Sequence, residues 1–463
     1  MSRFGYRLQR ASGGSSQNQT SQAVRWWLTK SDSSQLYTLQ GDLEWQTYNG
    51  QPGTRPITVD SSQQFQSMLG FGAAITDAAS SVIWSMPTAE RAALMDDMFA
   101  PSGLKLDVVR LPMGSTDFAR FPYTYNDSAS PDAVLAGFSI SVDETYTIPL
   151  LQAAQARNPN LKILAVPWSA PAWMKTNGSL NAGILKTEYF SVYAQYFVKF
   201  VQAYEAHGLP IYAVSPQNEP LHVTGSYPSM YMSAADQAAF IGQHLGPAFA
   251  AAGITTRILT YDHNWDDTSY TSTVFDDSQA SSYASGSAWH AYAGDVTAQS
   301  AIHTAYPGKD IYFTEITASQ PDNFGPDLQW FMRNIGIGAP YNWARTSVYW
   351  NLALDENNGP LNGGYATGQG VVRVASTNAA VTRYSTYYGL KHLSQKLVLG
   401  AHRIGCTNYG TGYVLATAYR NPDGSTVCHL LCDAQSTQTF KLIADGRYVQ
   451  FVLQPGDVVT CVW

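Results

Sequence analysis

Eight times between residues 70 and 354 a short β-rich run ends in a polar turn, with segments of helical period between the runs. The runs are Gly70 to Thr76, Leu106 to Ser115, Leu161 to Ala170, Ile211 to Pro220, Arg257 to Trp265, Ser287 to Gly294, Asp310 to Thr317 and Thr346 to Leu354. Mostly apolar runs of this length suit strands buried on both faces, and such strands alternating with helices build parallel sheets. Between them, Thr88 to Phe99 predicts a helix with Thr88 as its cap. Thr187 to Ala206 places Phe190, Tyr193, Phe197, Phe200, Val201 and Tyr204 on one helical face. Eight such units predict an α/β fold, a (β/α)8 TIM barrel over residues 66–384. An open doubly wound sheet is the alternative, but no glycine-rich phosphate loop follows any early run.

The flanks read differently. Residues 21–65 and 385–463 carry strand-like runs such as VRWWLTK (24–30) and GYVLATAYR (412–420), broken by Gly, Pro, Asn and Asp. Neither flank can bury its aromatic and β-branched faces alone, so the two are expected to pair into one all-β sandwich side domain built from both termini. Residues 1–20, rich in Ser, Gln and Gly, read as a disordered tail.

Composition narrows the partners. Lys and Arg number 27 against 34 Asp and Glu, a net charge of −7, and no basic run interrupts the chain. That removes the electrostatic footprint of a nucleic-acid or anionic-membrane binder. No apolar stretch approaches the roughly 18 residues of a membrane span, and the first 30 residues lack the apolar centre of a signal peptide. The expectation is a soluble chain in mature form. A low charged fraction of 13%, with 12 Trp, 29 Tyr and 18 Phe, and Asn-x-Ser/Thr triplets at Asn18, Asn126 and Asn177 point to a secreted or extracytoplasmic setting. Cys406, Cys428, Cys432 and Cys461 all fall in the C-terminal flank, where buried thiols and disulfides are both open readings. The Cys428/His429/Cys432 spacing lacks the second ligand pair of a zinc site, so no metal is expected.

Chemistry in a β/α barrel gathers at the C-terminal ends of the strands. Those ends supply Asp117, Trp168, Asn218 and Glu219, Asp262 and His263, His290 and Tyr292, Glu315, and Trp350 and Asn351. Glu219 and Glu315 each close a run that should be buried, and a buried carboxylate costs several kcal/mol unless it is paired or used. The structural reading is an ion pair with a distant arginine such as Arg110. Strands four and seven, however, face each other across the mouth, and two facing carboxyls are the equipment of glycoside hydrolysis. Abundant Trp and Tyr suit a sugar, whose CH-rich faces stack on aromatic rings.

The strings GFGAAITDAAS (70–80), VVRLPMGSTDF (108–118), VPWSAPAWMKTNGSL (166–180), VSPQNEP (214–220), YFTEIT (312–317) and YWNLALDENNGP (349–360) resemble glycoside hydrolase family 30. The resemblance implies a barrel with an attached β-sandwich and a retaining mechanism without a metal or organic cofactor. It makes Glu219 the acid/base and Glu315 the nucleophile, with Arg110, Asp117, Trp168, Asn218, His290, Tyr292 and Trp350 around the substrate. The acid is then expected to have a raised pKa and the nucleophile a lowered one, with Tyr292 donating to Glu315. The stretches YDHNWDD (261–267) and HAYAGDVTAQ (290–299) resemble the endo-β-1,6-glucanases of the family more than its glucosylceramidases, which carry a Trp where Ala291 stands. The expected activity is endo-β-1,6-glucanase, acting on a β-glucan or β-glucoside. The alternatives are a glucosylceramidase, an exo-acting β-glucosidase or β-xylosidase, and a carbohydrate-binding protein without catalysis.

Overall fold

The computed structural model describes residues 23–50 and 55–463. The expected tail and Asn18 lie outside the described residues. Each of the eight runs contributes one parallel strand of a closed barrel: β1 (Gly70–Ala74), β2 (Val108–Pro112), β3 (Lys162–Val166), β4 (Ile211–Val214), β5 (Arg257–Asn264), β6 (Ala284–His290), β7 (Asp310–Glu315) and β8 (Ala344–Tyr349). Strand β8 closes on β1, with Thr346 opposite Gly70. Gly72 permits the β1–β2 contact, because a Cβ there would sit 1.7 Å from the Val108 carbonyl oxygen.

Side chains alternate between the barrel axis and the helical ring. Leu69, Val108, Leu164, Ala213, Leu259, Ala288, Tyr312 and Val348 form one buried cluster, to which every strand or its first flank gives one side chain. This apolar layer plugs the barrel. Two residues further along β2, β6 and β7 the same inward face carries Arg110, His290 and Thr314, so strand alternation itself lifts polar groups above the plug. Helix Thr88–Phe99 forms as expected, but Thr88 is its first residue and Pro87 its N-cap, without a capping side chain. Helix Phe190–Ala206 buries the six predicted apolar residues after a short 3-10 turn at Thr187–Tyr189.

The flanks do pair. A ten-stranded sheet sets Arg25–Thr29 antiparallel to Val458–Val462 and Ile57–Ser67 antiparallel to His402–Cys406. Its own buried cluster includes Ile57, Ile404, Leu430, Phe440, Phe451 and Val459. Cys406, Cys428, Cys432 and Cys461 are free thiols, and all but Cys406 are buried. A small sheet of Ala353–Leu354, Val372–Val374 and Val381–Arg383 follows β8. Of the two remaining glycosylation triplets, Asn177 is exposed, whereas Asn126 is buried and donates to Asp132. Asn126 therefore offers no acceptor for a glycan.

Helix Ser385–Ser394 joins barrel to sandwich through a buried histidine. His392 meets Thr29 Oγ1 through Nε2 at 2.8 Å and Thr460 Oγ1 through Nδ1 at 2.9 Å, and His429 Nδ1 reaches the same Thr460 hydroxyl at 3.2 Å. Burial pushes His392 well below the usual imidazole range and His429 down to about 3. As pH falls below about 6.5, the unfolded chain takes up protons that these folded imidazoles refuse, so stability drops. Thermal unfolding followed from pH 7 to 5 should show a falling midpoint, and His429→Leu should flatten that slope. An unchanged slope would mean that the joint contributes nothing to acid sensitivity.

Candidate active site

The strand ends converge on an open cavity of about 400 Å³ whose lining includes Asp117, Trp168, Asn218, Glu219, His263, Tyr292, Glu315 and Trp350. Arg110 and His290 lie beneath it, with 1% and 0% exposure, and hold its floor together. Arg110 Nη1 donates to Glu315 Oε2, and Nη2 donates to Asn218 Oδ1 at 2.7 Å and Asp262 Oδ2 at 2.9 Å. His290 reaches Glu219 Oε1 at 3.0 Å through Nδ1 and Asp262 Oδ1 at 3.1 Å through Nε2. Thr314 Oγ1 donates to Asp262 Oδ1 at 2.7 Å. Asp262 thus anchors both buried cations from below while the two glutamates meet them from above.

Local backbone geometry makes these contacts possible. Tyr261 and Asp262 have φ of 74° and 64° at an irregularity where Ala288 and Trp289 pair with Tyr261 and His263. That bulge turns the Asp262 side chain inward. Glu219 itself has φ of 42°, and its N–H donates to the Asp262 carbonyl at 3.0 Å. A non-glycine residue there is strained, and the surrounding hydrogen bonds hold it.

The charges are as specific as the positions. Although burial opposes it, the neighbouring Glu315, Asp262 and Glu219 carry His290 up to about 9, so at neutral pH it is an imidazolium donating from both nitrogens. Burial also opposes ionisation of Asp262, yet Arg110 and His290 keep it well below the usual carboxylate range. Burial, reinforced by Glu315 and Glu219, pushes Asp117 at the cavity wall up to about 8. In the free site burial raises Glu315, whereas His290 outweighs burial at Glu219 and holds it low. This is the reverse of the order expected from the sequence. The cause is the His290 contact, which no reading along the chain could place against Glu219.

The fixed donors nevertheless separate the glutamates in kind. Glu315 accepts from Arg110 at one oxygen and from Tyr292 Oη at the other, at 2.8 Å. Among the described residues the Glu219 carboxylate has one hydrogen-bond partner, His290. Oxygens of the two carboxylates lie within 4.8 Å of one another. Trp168 and Trp350 stack at 5.0 Å and 22°, with the Arg110 guanidinium 5.0 Å from the Trp168 ring centre. Asn351 lies off the cavity and accepts from Thr76 Oγ1 at 2.8 Å. Sequence reading missed His222 and Tyr227, which also line the cavity and pair at 3.0 Å. Both sit on the loop after β4, beyond any strand-end signal.

A barrel whose mouth holds two facing carboxyls over a cationic floor is the architecture of a glycoside hydrolase. The glycosyl hydrolase family 30 TIM-barrel domain matches residues 68–397 and the family's β-sandwich domain matches 400–461, so the chain belongs to glycosyl hydrolase family 30 and is an O-glycosyl hydrolase. It is 36% identical over 406 residues to an endo-1,6-β-D-glucanase of Aspergillus fumigatus, covering 81% of each chain. To the lysosomal acid glucosylceramidase of Mus musculus it is 28% identical over 412 residues, 81% of this chain and 76% of that one. Among solved structures it resembles an endo-β1,6-glucanase with a TM-score of 0.88 and 31% identity, covering 95% of this chain and 99% of that one.

Proposed function

We propose that the protein is a retaining endo-β-1,6-glucanase in which Glu315 is the nucleophile and Glu219 the acid/base. The observation that carries the mechanism is the carboxylate pair, with oxygens within 4.8 Å. Inverting enzymes need roughly 6.5–9.5 Å to seat a water between their carboxyls, and retaining ones about 5–5.5 Å. The roles follow from the donors. Arg110 and Tyr292 occupy both oxygens of Glu315, an arrangement that favours its anion, so in the sugar complex the single proton belongs on Glu219. Glu315 attacks the anomeric carbon while Glu219 protonates the departing oxygen. Glu219 then takes a proton from the water that releases the sugar.

Asp117, Trp168, Asn218 and Trp350 surround the sugar at the cleavage point, and Arg110 and His290 act from below by positioning the glutamates. The linkage preference is supported by the names of the 34–36% identical relatives and by Ala291, which leaves the leaving-group side open. No described helix is long and apolar enough to cross a membrane, and exposed Asn177 agrees with a secreted setting. The test is hydrolysis of a β-1,6-linked glucan beside an aryl β-glucoside. Short oligomers from the polymer are expected. Cleavage of the aryl glucoside alone would point to an exo enzyme, and silence on both would contradict the reading.

A further inference from the structure

Beside Ala291 lies a second cavity, of about 470 Å³, that the catalytic step does not use. Tyr292, Thr317 and Ser319 line both it and the catalytic cavity, so the two adjoin. We propose that the second cavity is a leaving-group subsite, holding the glucosyl units released from the cut chain, with Trp330 as the ring on which a sugar lies. The proposal rests on the endo-glucanase reading above and deepens it.

The wall chemistry is that of a pyranose site. Trp330 is 40% exposed, lines the cavity and stacks on no other ring among the described residues. An indole on a cavity wall offers a large apolar face on which the CH-rich face of a sugar can lie. Asn323, Asp327 and Thr317 stand around the same space as hydrogen-bonding groups for sugar hydroxyls. A cavity this size falls within the roughly 300–1,000 Å³ of small-ligand sites. A polymer cut internally needs room for the units beyond the cut, and the second cavity adjoins the catalytic one along Tyr292, Thr317 and Ser319.

The platform is braced from the other domain. Trp330 belongs to helix Phe324–Phe331, where Gln329 Nε2 donates to Asp433 Oδ1 of the sandwich at 3.0 Å. Two residues beyond the helix, Arg333 Nε donates to the same oxygen at 2.7 Å. Gly325 packs on Ser31, where a Cβ would lie 2.7 Å from the Ser31 carbonyl oxygen. The sandwich thus fixes the angle at which the indole faces the cavity.

The experiment compares kcat/KM on β-1,6-glucan with kcat/KM on an aryl β-glucoside for wild type, Trp330→Ala, Trp330→Phe and Ala291→Trp. Trp330→Ala should lower the polymer-to-aryl ratio by roughly tenfold or more, the loss expected when one well-placed aromatic contact is removed. Trp330→Phe should restore most of it, and Ala291→Trp, which fills the cavity, should lower it. If the wild type cuts the polymer and the Trp330→Ala ratio is unchanged, the subsite is wrong while the glucanase reading stands. If the wild type ignores the polymer, the glucanase reading fails and takes the subsite with it.

Discussion

Glu315→Ala is expected to abolish hydrolysis of both polymer and aryl glucoside, by more than about 10⁴-fold in kcat. The variant removes the atom that bonds to the sugar, and no neighbour can replace it. Asp262, the nearest buried carboxylate, is tied to Arg110, His290 and Thr314 below the cavity. The alanine also leaves a space against Arg110, whose Nη1 loses its partner. A small anion therefore has both room and a cationic neighbour there. Azide should restore turnover of an aryl β-glucoside and, by attacking from the face that Glu315 vacated, give the α-glucosyl azide. A β-configured azide product would place the nucleophile elsewhere.

Glu219→Ala should behave differently. With a good leaving group no proton is needed for the first step, so glycosylation of Glu315 proceeds and the second step, now without a base, limits the rate. The expected pattern is a fast burst followed by turnover reduced roughly 10²- to 10⁴-fold, with β-1,6-glucan, a poor leaving group, losing the most. Removing Glu219 also frees His290 Nδ1, which then lies 3.9 Å from Glu315 Oε1 without its nearer carboxylate. With the Glu219 charge gone and His290 and Arg110 still beside it, the Glu315 carboxyl is held lower than in the wild type.

Much of this was legible along the chain because burial leaves a mark on sequence. Strands such as Gly70–Ala74 and Val108–Pro112 are covered on both faces and so read as short apolar runs. Glu219 and Glu315 stood out for the same reason, as carboxylates closing runs that had to be inside. Arg110 was read both as a distant ion-pair partner and as a residue around the substrate; the fold buries it against Glu315, which still faces the cavity.

What escaped depends on register and on loops. The order of charge in the glutamate pair is set by His290, which approaches Glu219 only once β6 is laid beside β5 and β7. His222, Tyr227 and Trp330 come from segments beyond the strand ends, where no period marks them. The strands of the small sheet, two or three residues each, are too short to carry an alternation. The triplet at Asn126 is a local pattern blind to burial, and the fold places that side chain inside.

In the proposed double displacement Glu315 bonds covalently to the sugar while Glu219 only moves protons. This division of roles is tested most directly by incubating Glu219→Ala with an aryl β-glucoside carrying a good leaving group, then quenching and mapping the protein by mass spectrometry. One glucosyl adduct is expected, on the peptide that contains Glu315. An adduct on any other residue, or a burst of released phenol with no adduct at all, would contradict it.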